Sequence, residues 1–421
     1  MKKKRTQSVL CFLLILTVLG TTMSGCSTKV QAEDMMKSIS SRDVSDKIQI
    51  TEEGNRAVTD FAVRLFKESM GQDENTLLSP ISVLYALSMT ANGADGNTLA
   101  QMEDVLGMSV DELNNHLGAC QKQLSIEKDS KLYVANSIWF RDSEDFTVKE
   151  DFLQVNADYY HSAIYKSDFE KDTRDAINAW VKKNTDGMID QILEDEIPDE
   201  ALMYLVNALA FESKWQEIYE KDSVRTGTFT KEDGTEQEAT MMYSEESVYL
   251  EDERATGFIK PYADGRYVFA ALLPNEGVTL DAYVSNLTGE ELFDFLNHPT
   301  QERVEASLPK FESEYSIEMS GVLKKMGMTD AFEYAMADFS KLGTLTNKAG
   351  VIAIDRILHK TYISVAEKGT KAGAATAVEM LNKMSLRPDD TKRVYLDRPF
   401  LYMIIDTETN TPIFMGTVKD I

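Results

Sequence analysis

One stretch near the C-terminus, residues 367–381, constrains the rest of the chain more than any other part of the sequence. Because successive side chains of a strand point to opposite faces, the even positions from Thr370 to Met380 would share a small or apolar face without charge. The odd positions from Lys371 to Leu381 carry both charges. This alternation is typical of a strand with one buried face, yet the stretch is rich in Ala and Gly, which strands disfavour. The pattern therefore predicts a segment with two states, an exposed loop and an inserted strand.

Two motifs carry a resemblance to a known family. Glu367-x-Gly-Thr followed by small residues resembles the hinge of the serpins, serine protease inhibitors whose reactive loop inserts into their own β-sheet. Asn75-x-x-x-Ser-Pro-x-Ser is similar to the second-helix signature of that family. The same residues predict a capped helix, with Ser79 as N-cap, Pro80 at the first helical position and Gly93 as the stop. Looser matches follow in the family's order, so the resemblance covers about residues 55–418.

The resemblance implies a mixed α/β (α+β) fold, with about eight to nine helices around three β-sheets and an exposed reactive loop. It divides the chain into a lipoprotein signal peptide at 1–25, a polar tether at 26–50 and a single serpin domain at 51–421, with the reactive loop at about 367–392. Residues 201–215 are nearly all apolar and by period alone fit a buried helix or a central strand. Their match to the family's Leu-Val-Asn-Ala-x-x-Phe-x-x-x-Trp favours the strand.

The resemblance also implies which residues act. The hinge of the loop would comprise Glu367, Gly369, Thr370, Ala372, Gly373, Ala374, Ala375 and Thr376. The shutter and breach, where the main sheet opens in this family, would comprise Ser79, Ser82, Asn207, Trp215 and His359. Counting from the hinge threonine as the family does places the scissile bond at Lys383-Met384, which invites trypsin-like enzymes. One residue later is Met384-Ser385, which suits elastase-like, chymotrypsin-like or subtilisin-like proteases, and Lys383 ranks slightly ahead of Met384.

The mechanism implied by the resemblance needs no catalytic residue in this chain. A target protease attacks the loop and forms an acyl-enzyme, and the freed hinge enters the main sheet as an extra strand. The sequence allows such an insertion because Thr370 is neither bulky nor charged, and Ala372 and Ala374 fit above a packed layer. We therefore expect a suicide-substrate inhibitor of serine proteases rather than an enzyme. The alternative is a non-inhibitory surface binding protein with the same fold.

The net charge and the N-terminus bear on partners and location. The formal net charge of −26 argues against nucleic acid, a partner that requires basic patches.

Residues 2–5 are basic and 9–19 are apolar but too short to span a membrane, and Met-Ser-Gly-Cys ending at Cys26 resembles a bacterial lipobox. Removal of 1–25 would delete four positive charges and no acidic residue, which takes the net charge to −30. We expect an exported protein, a cell-surface lipoprotein or extracellular, that meets the membrane only through lipidated Cys26; ordinary signal-peptide cleavage nearby is the alternative.

The sequence contains no motif that indicates a catalytic or metal site. Its four histidines are spread without the spacing of metal ligands, and it has neither a Gly-x-Ser-x-Gly elbow nor a phosphate-binding Gly loop. With Cys11 in the leader and Cys26 acylated, Cys120 is left alone, so we expect no disulfide. We expect no cofactor and no metal, and a monomer whose covalent partners are serine proteases.

Overall fold

The computed structural model describes residues 32–71, 74–124, 130–346, 351–370 and 391–421. Within these ranges the chain forms nine α-helices: α1 (Glu52–Ser69), α2 (Pro80–Ala91), α3 (Gly96–Leu106), α4 (Val110–Leu124), α5 (Glu150–Tyr160), α6 (Lys171–Asn184), α7 (Leu280–Asn286), α8 (Gly289–Asn297) and α9 (Ser320–Met326). The same ranges contain nineteen strands: β1 (Glu33–Asp34), β2 (Leu77–Leu78), β3 (Lys131–Arg141), β4 (Phe146–Val148), β5 (Ala163–Ser167), β6 (Met203–Lys214), β7 (Val224–Thr230), β8 (Glu236–Glu246), β9 (Val248–Glu251), β10 (Ala255–Pro261), β11 (Tyr267–Pro274), β12 (Val304–Pro309), β13 (Phe311–Glu318), β14 (Gly343–Leu345), β15 (Arg356–Ala366), β16 (Gly369–Thr370), β17 (Lys392–Tyr395), β18 (Phe400–Asp406) and β19 (Thr411–Val418).

The strands form three large sheets and one small pairing. The largest sheet has seven strands in the order β1-β5-β3-β6-β16-β15-β13, the second has six in the order β2-β19-β18-β11-β10-β9, and the third has four in the order β17-β12-β8-β7. Strands β4 and β14 pair only with each other in the described part of the chain. The predicted fold class, helices around three sheets in a mixed α/β arrangement, is confirmed, and the β4–β14 pair is an addition to it.

Two apolar layers cover the two faces of the seven-stranded sheet. Leu205, Leu209 and Phe211 of β6 belong to the main hydrophobic core. Tyr204 and Val206 of the same strand belong to a second core, which lies between the sheet and α6. Because side chains alternate along a strand, β6 is buried on both faces, and such a strand has an unbroken apolar sequence. The prediction of a central strand within 201–215 is therefore confirmed.

Helix α2 begins where the sequence predicts. The side chain of Ser79 accepts a hydrogen bond from the backbone N–H of Ser82, and Pro80 is the first helical residue. The helix ends at Ala91, and Gly93, the predicted stop, follows directly after the C-cap residue. Every residue of α2 is buried, as expected for a helix that is apolar all round. Its first turn lies against the seven-stranded sheet, which brings the two serines to the strands.

Residues 33–50 differ from the polar tether that the sequence predicts at 26–50. Strand β1 extends the seven-stranded sheet by pairing antiparallel with β5, and Met35 packs against the main core. Arg42 donates to Asp158 of α5, with Nη2 and Oδ2 2.6 Å apart. These contacts hold 33–50 against the domain, whereas the sequence analysis predicted a polar tether at 26–50.

Strands β6 and β15 pair directly along most of their length and separate at one end, where β16 lies between them. Residues 204–210 of β6 run parallel to 356–362 of β15. Beyond that ladder, Thr370 of β16 lies opposite both Val365 of β15 and Ser213 of β6, antiparallel to both strands. In the described part of the chain, β6 and β15 are therefore separated by another strand at this end and paired directly along 204–210 and 356–362.

Candidate functional site

A polar row, made of Asn136, Asn207 and His359, crosses the centre of the seven-stranded sheet. The three residues lie opposite one another on the adjacent strands β3, β6 and β15. Ser82 of α2 donates from Oγ to Oδ1 of Asn136 at 3.0 Å, and it accepts from Nδ2 of Asn207 at 2.5 Å. Asn207 also donates to Asn136. Since buried polar groups require partners, the row and the start of α2 satisfy each other.

His359 is wholly buried. Its Nε2 accepts a hydrogen bond from the backbone N–H of Ser79 at 3.2 Å, so the ring proton lies on Nδ1, which contacts Oδ1 of Asn207. Burial lowers the pKa of His359 to about 3, because the protonated ring would lose its hydration without an acidic partner. The neutral ring therefore connects β15 to α2 and to β6 across the neutral pH range.

The structure brings together four of the five residues predicted for the shutter and breach, which are Ser79, Ser82, Asn207 and His359. It adds Asn136, which the sequence analysis missed. Asn136 is a polar residue within an apolar strand, and that signal was available in the sequence. Only the pairing of β3 with β6, which places Asn136 opposite Asn207, shows that it belongs to the same network.

Trp215, the fifth predicted residue, lies apart from the polar row, at the end of the sheet where β16 enters. Its backbone N–H donates to the carbonyl oxygen of Lys368 at 3.0 Å, and its indole Nε1 donates to that of Ala366 at 2.8 Å. Its ring stacks on Tyr262, with centroids 4.5 Å apart and planes inclined by 14°. Trp215 therefore bonds to the turn between β15 and β16 through both its backbone and its side chain.

Gly369 and Thr370, two of the described residues of the predicted hinge, lie within the seven-stranded sheet as β16. Thr370 has no exposed surface, and its hydroxyl is 2.6 Å from the hydroxyl of Tyr262. Gly369 has a φ of 148°, and a Cβ at this position would lie 2.1 Å from the carbonyl oxygen of Ser213. Only glycine fits such a backbone conformation at so close an approach, which gives a physical reason for the Gly-Thr pair.

Glu367, the first residue of the predicted hinge, is held by two separate parts of the chain. Its carbonyl oxygen accepts from the backbone N–H of Tyr219 at 2.9 Å, and its carboxylate lies 3.2 Å from Nζ of Lys310. A hydrogen bond from its own backbone N–H, and then Lys310, lower the pKa of the carboxyl. The sequence analysis gave Tyr219, Tyr262 and Lys310 no role at the hinge, because each comes from a segment that is distant from the hinge along the chain.

Several predicted site residues lie outside the described residues. They are the hinge residues Ala372, Gly373, Ala374, Ala375 and Thr376, the scissile-bond residues Lys383, Met384 and Ser385, and Cys26. In the described ranges, no group of three or more His, Cys, Asp and Glu side chains is placed to hold a metal ion. None of the helices in those ranges combines the length and apolar character that crossing a bilayer requires.

Comparison with known proteins identifies the family. A family model described as serpin (serine protease inhibitor) matches residues 56–421. The chain belongs to the serpin family. An uncharacterised serpin-like protein of Thermococcus kodakarensis is 30% identical over 427 residues, which cover 97% of this chain and 98% of that protein. The resemblance drawn from the sequence motifs is therefore confirmed.

Solved serpin structures agree with the fold and with its conformation. The thermophilic serpin tengpin in its native state is 47% identical, covers 93% of this chain and 100% of its own, and superposes with a TM-score of 0.88. Tengpin in its latent state, also 47% identical, covers 88% of this chain and 99% of its own with a TM-score of 0.77. The chain is thus more similar to the native form. Serpins are in general protease inhibitors, most of them directed at serine proteases and secreted, although some members do not inhibit.

Proposed function

We propose that this serpin is a suicide-substrate inhibitor of serine proteases of trypsin-like or of elastase-like, chymotrypsin-like or subtilisin-like specificity. The observation that carries the proposal is β16, in which Thr370 lies between β6 and β15 and antiparallel to both. A strand continuing from Thr370 in this register would replace the parallel β6–β15 ladder with two antiparallel ladders, which are slightly more stable per residue. Strand addition of this kind gains main-chain hydrogen bonds.

The register defines where each loop residue would lie after insertion. If pairing continued from Thr370 opposite Ser213, Met380 would lie opposite Met203, the first residue of β6. Even-numbered loop residues would then join the main core beside residues such as Phe211. Odd-numbered ones, with both charges, would face the layer beneath α6. The alternation in the sequence thus matches the two faces that the sheet offers.

The same register would bring Thr376 to the polar row. Counting from the pairs of Thr370, it would lie opposite Asn207 on β6 and His359 on β15. Those two side chains contact each other before insertion, so an inserting strand must separate them. A buried polar group that loses its partner costs roughly 1–3 kcal/mol. The hydroxyl of Thr376 is suited to bond with the groups released and so to lower this cost.

The covalent chemistry in this proposal belongs to the protease. Its serine Oγ attacks the carbonyl carbon of Lys383, or of Met384 in the alternative register, and forms an ester. The peptide bond to the following residue breaks, and its nitrogen takes a proton from the histidine of the protease. Insertion of the freed strand would carry the ester roughly 40 Å from Thr370, at about 3.3 Å per residue. The protease is distorted by this displacement before water hydrolyses the ester.

Incubation of the purified protein with trypsin and with an elastase tests the proposal. We expect a 1:1 adduct that survives a denaturing gel, because the ester remains intact once the strand has inserted. The mass of the released C-terminal peptide distinguishes cleavage after Lys383 from cleavage after Met384. Cleavage without an adduct by every protease tried would contradict the proposal and favour a non-inhibitory surface binding protein.

Two substitutions of Thr370 form a matched pair for the same assay. Thr370 is fully buried and bonded to Tyr262, so an unpaired guanidinium at this position would be strongly unfavourable. We expect Thr370→Arg to be cleaved as a substrate, whereas Thr370→Ser, which keeps the hydroxyl, should still form the adduct. A stable stoichiometric complex formed by Thr370→Arg would refute the role assigned to the hinge.

A further inference from the structure

A buried ion pair lies next to the residues that hold the hinge, and the mechanism above does not use it. Lys260 of β10 and Glu246 at the end of β8 are joined from Nζ to Oε1 at 2.9 Å, and their side chains are only 3% and 7% exposed. Ser244 donates to the same carboxylate oxygen at 2.7 Å. The pair joins the six-stranded sheet to the four-stranded sheet. Removing two charges from water is costly, so the deep burial of this pair requires an explanation.

The Lys260 ammonium lies against a hinge clamp, which we define as Tyr219 and Trp215. Its Nζ is 4.5 Å from the ring centroid of Tyr219 and 5.6 Å from that of Trp215. The backbone N–H groups of these two residues donate to the carbonyl oxygens of Glu367 and Lys368. A cation over an aromatic face is attracted to it, more strongly where water is excluded. The Lys260 ammonium is therefore placed against both residues that bond to the hinge backbone.

Glu246 connects the same cluster to the strand that follows segment 371–390. It lies opposite Val304 of β12, and Val304 in turn lies opposite Lys392 of β17. Strand β17 is the first described strand after that segment. The ion pair thus lies between β16, the last described strand before the segment, and β17, the first described strand after it.

We propose that the Lys260–Glu246 pair positions the hinge clamp relative to the four-stranded sheet and so fixes the point from which the loop enters the seven-stranded sheet. This rests on the proposed inhibitory function. In the register derived above, the clamp contacts at Glu367 and Lys368 stay in place while residues from 371 onward move. If the clamp were loosened, the hinge backbone would occupy a wider range of positions, and the loop would enter the seven-stranded sheet more slowly. The protease then has longer to hydrolyse the ester, so more inhibitor is consumed per protease trapped.

The double variant Lys260→Met with Glu246→Met tests this role. Replacing a buried ion pair with apolar residues of similar volume usually preserves the fold, whereas a single substitution leaves one charge buried and unpaired. We expect backbone hydrogen exchange at residues 215–219, measured by mass spectrometry on the uncleaved protein, to accelerate about tenfold. We expect the stoichiometry of inhibition to rise about twofold or more. Lys260→Arg keeps the cation over both rings and should behave as the unmodified protein does.

A stability control separates positioning from general weakening of the fold. Asp158 of α5 is a buried carboxylate that bonds with Arg42 and Gln154, away from the strands that hold the hinge. Asp158→Asn should lower the melting temperature and leave both the exchange at 215–219 and the stoichiometry unchanged. If it raised the stoichiometry as much as the double variant does, the effect would be one of stability alone, and the proposal would be overturned.

The remaining outcomes also test the proposal. Unchanged exchange at 215–219 in the double variant would overturn the proposal. Faster exchange with an unchanged stoichiometry would overturn its link to loop insertion. If the unmodified protein forms no adduct with any protease while the double variant still exchanges faster, the proposed function fails and the positioning of the clamp by Lys260 and Glu246 stands.

Discussion

His359 makes the stability of this serpin depend on pH in a window that the structure defines. The residue is wholly buried, and burial lowers its pKa to about 3, against about 6.5 in an unfolded chain. Above pH 6.5 the ring is neutral in both states, so it adds no pH dependence. Below that pH the unfolded chain binds a proton that the folded protein excludes, so stability is lost as the pH falls from 6.5 towards the folded pKa.

The size of this effect follows from the same pKa shift. One proton of difference changes the free energy of unfolding by up to about 1.36 kcal/mol per pH unit. Between pH 7 and 5, His359 alone should therefore lower the free energy of unfolding by about 2 kcal/mol. Burial also lowers the pKa of His116 to about 4, which acts in the same direction. Asp330, whose pKa is lowered by hydrogen bonds from Asn97 and then Gln101, loses its contribution only below about pH 4.

Unfolding by guanidinium chloride, followed by circular dichroism at intervals from pH 8 to pH 5, measures the effect. His359→Gln replaces the titrating ring with a neutral amide. We expect this variant to be less stable at pH 8, because it disturbs the bonds to Ser79 and Asn207. Its loss of stability between pH 7 and 5 should nevertheless be smaller than that of the unmodified protein by about 2 kcal/mol. His116→Gln, which removes the second buried histidine, is the matched control variant. A curve for His359→Gln parallel to the unmodified one would refute the reasoning.

Three further perturbations have expected outcomes. Gly369→Ala places a Cβ 2.1 Å from the carbonyl oxygen of Ser213, so we expect β16 to leave the sheet. A denaturing gel should then show simple cleavage by the protease in place of the adduct. An undiminished amount of adduct would contradict this. Arg42→Ala removes the cation bonded to the buried Asp158 and should lower the free energy of unfolding at pH 7 more than Arg42→Lys does, because the buried carboxylate then loses its charged partner. Equal stability of the two variants would disprove this. Cys26→Ser should abolish incorporation of labelled palmitate in a bacterial host, and persistent labelling would exclude Cys26 as the lipidated residue.

The sequence predicted local elements well where spacing alone specifies them. The start of α2 at Ser79 and Pro80 depends on a cap and a fixed φ within a few residues, and the structure has both. The small uncharged face that begins at Thr370 is likewise a local pattern, and Thr370 is buried as that pattern requires. Strand β6 is a different case, because an unbroken apolar run fits a helix or a strand equally well. There the family motif, rather than periodicity, supplied the correct prediction.

The predicted tether shows why composition is a weaker guide than packing. Residues 33–50 contain few large apolar side chains, yet Met35 and Ile39 lie against the main core and Gln49 donates from its backbone to Asn115. Whether a few apolar residues suffice to hold a segment depends on the surface they meet. That surface is built from α4, α5 and β5, and nothing within the segment itself describes it.

By itself the sequence determined the family, because the motifs that identify it are encoded in neighbouring positions. The alternating face of the loop and the hinge residues are predictions from the same kind of local pattern. Only the tertiary structure decided which distant side chains meet them. Asn207 and His359 are separated by 152 positions along the chain and Tyr262 and Thr370 by 108, and they meet because strand pairing sets the register of the whole sheet. No local pattern predicted the Lys260–Glu246 pair, since its burial depends on how the six-stranded and four-stranded sheets pack together.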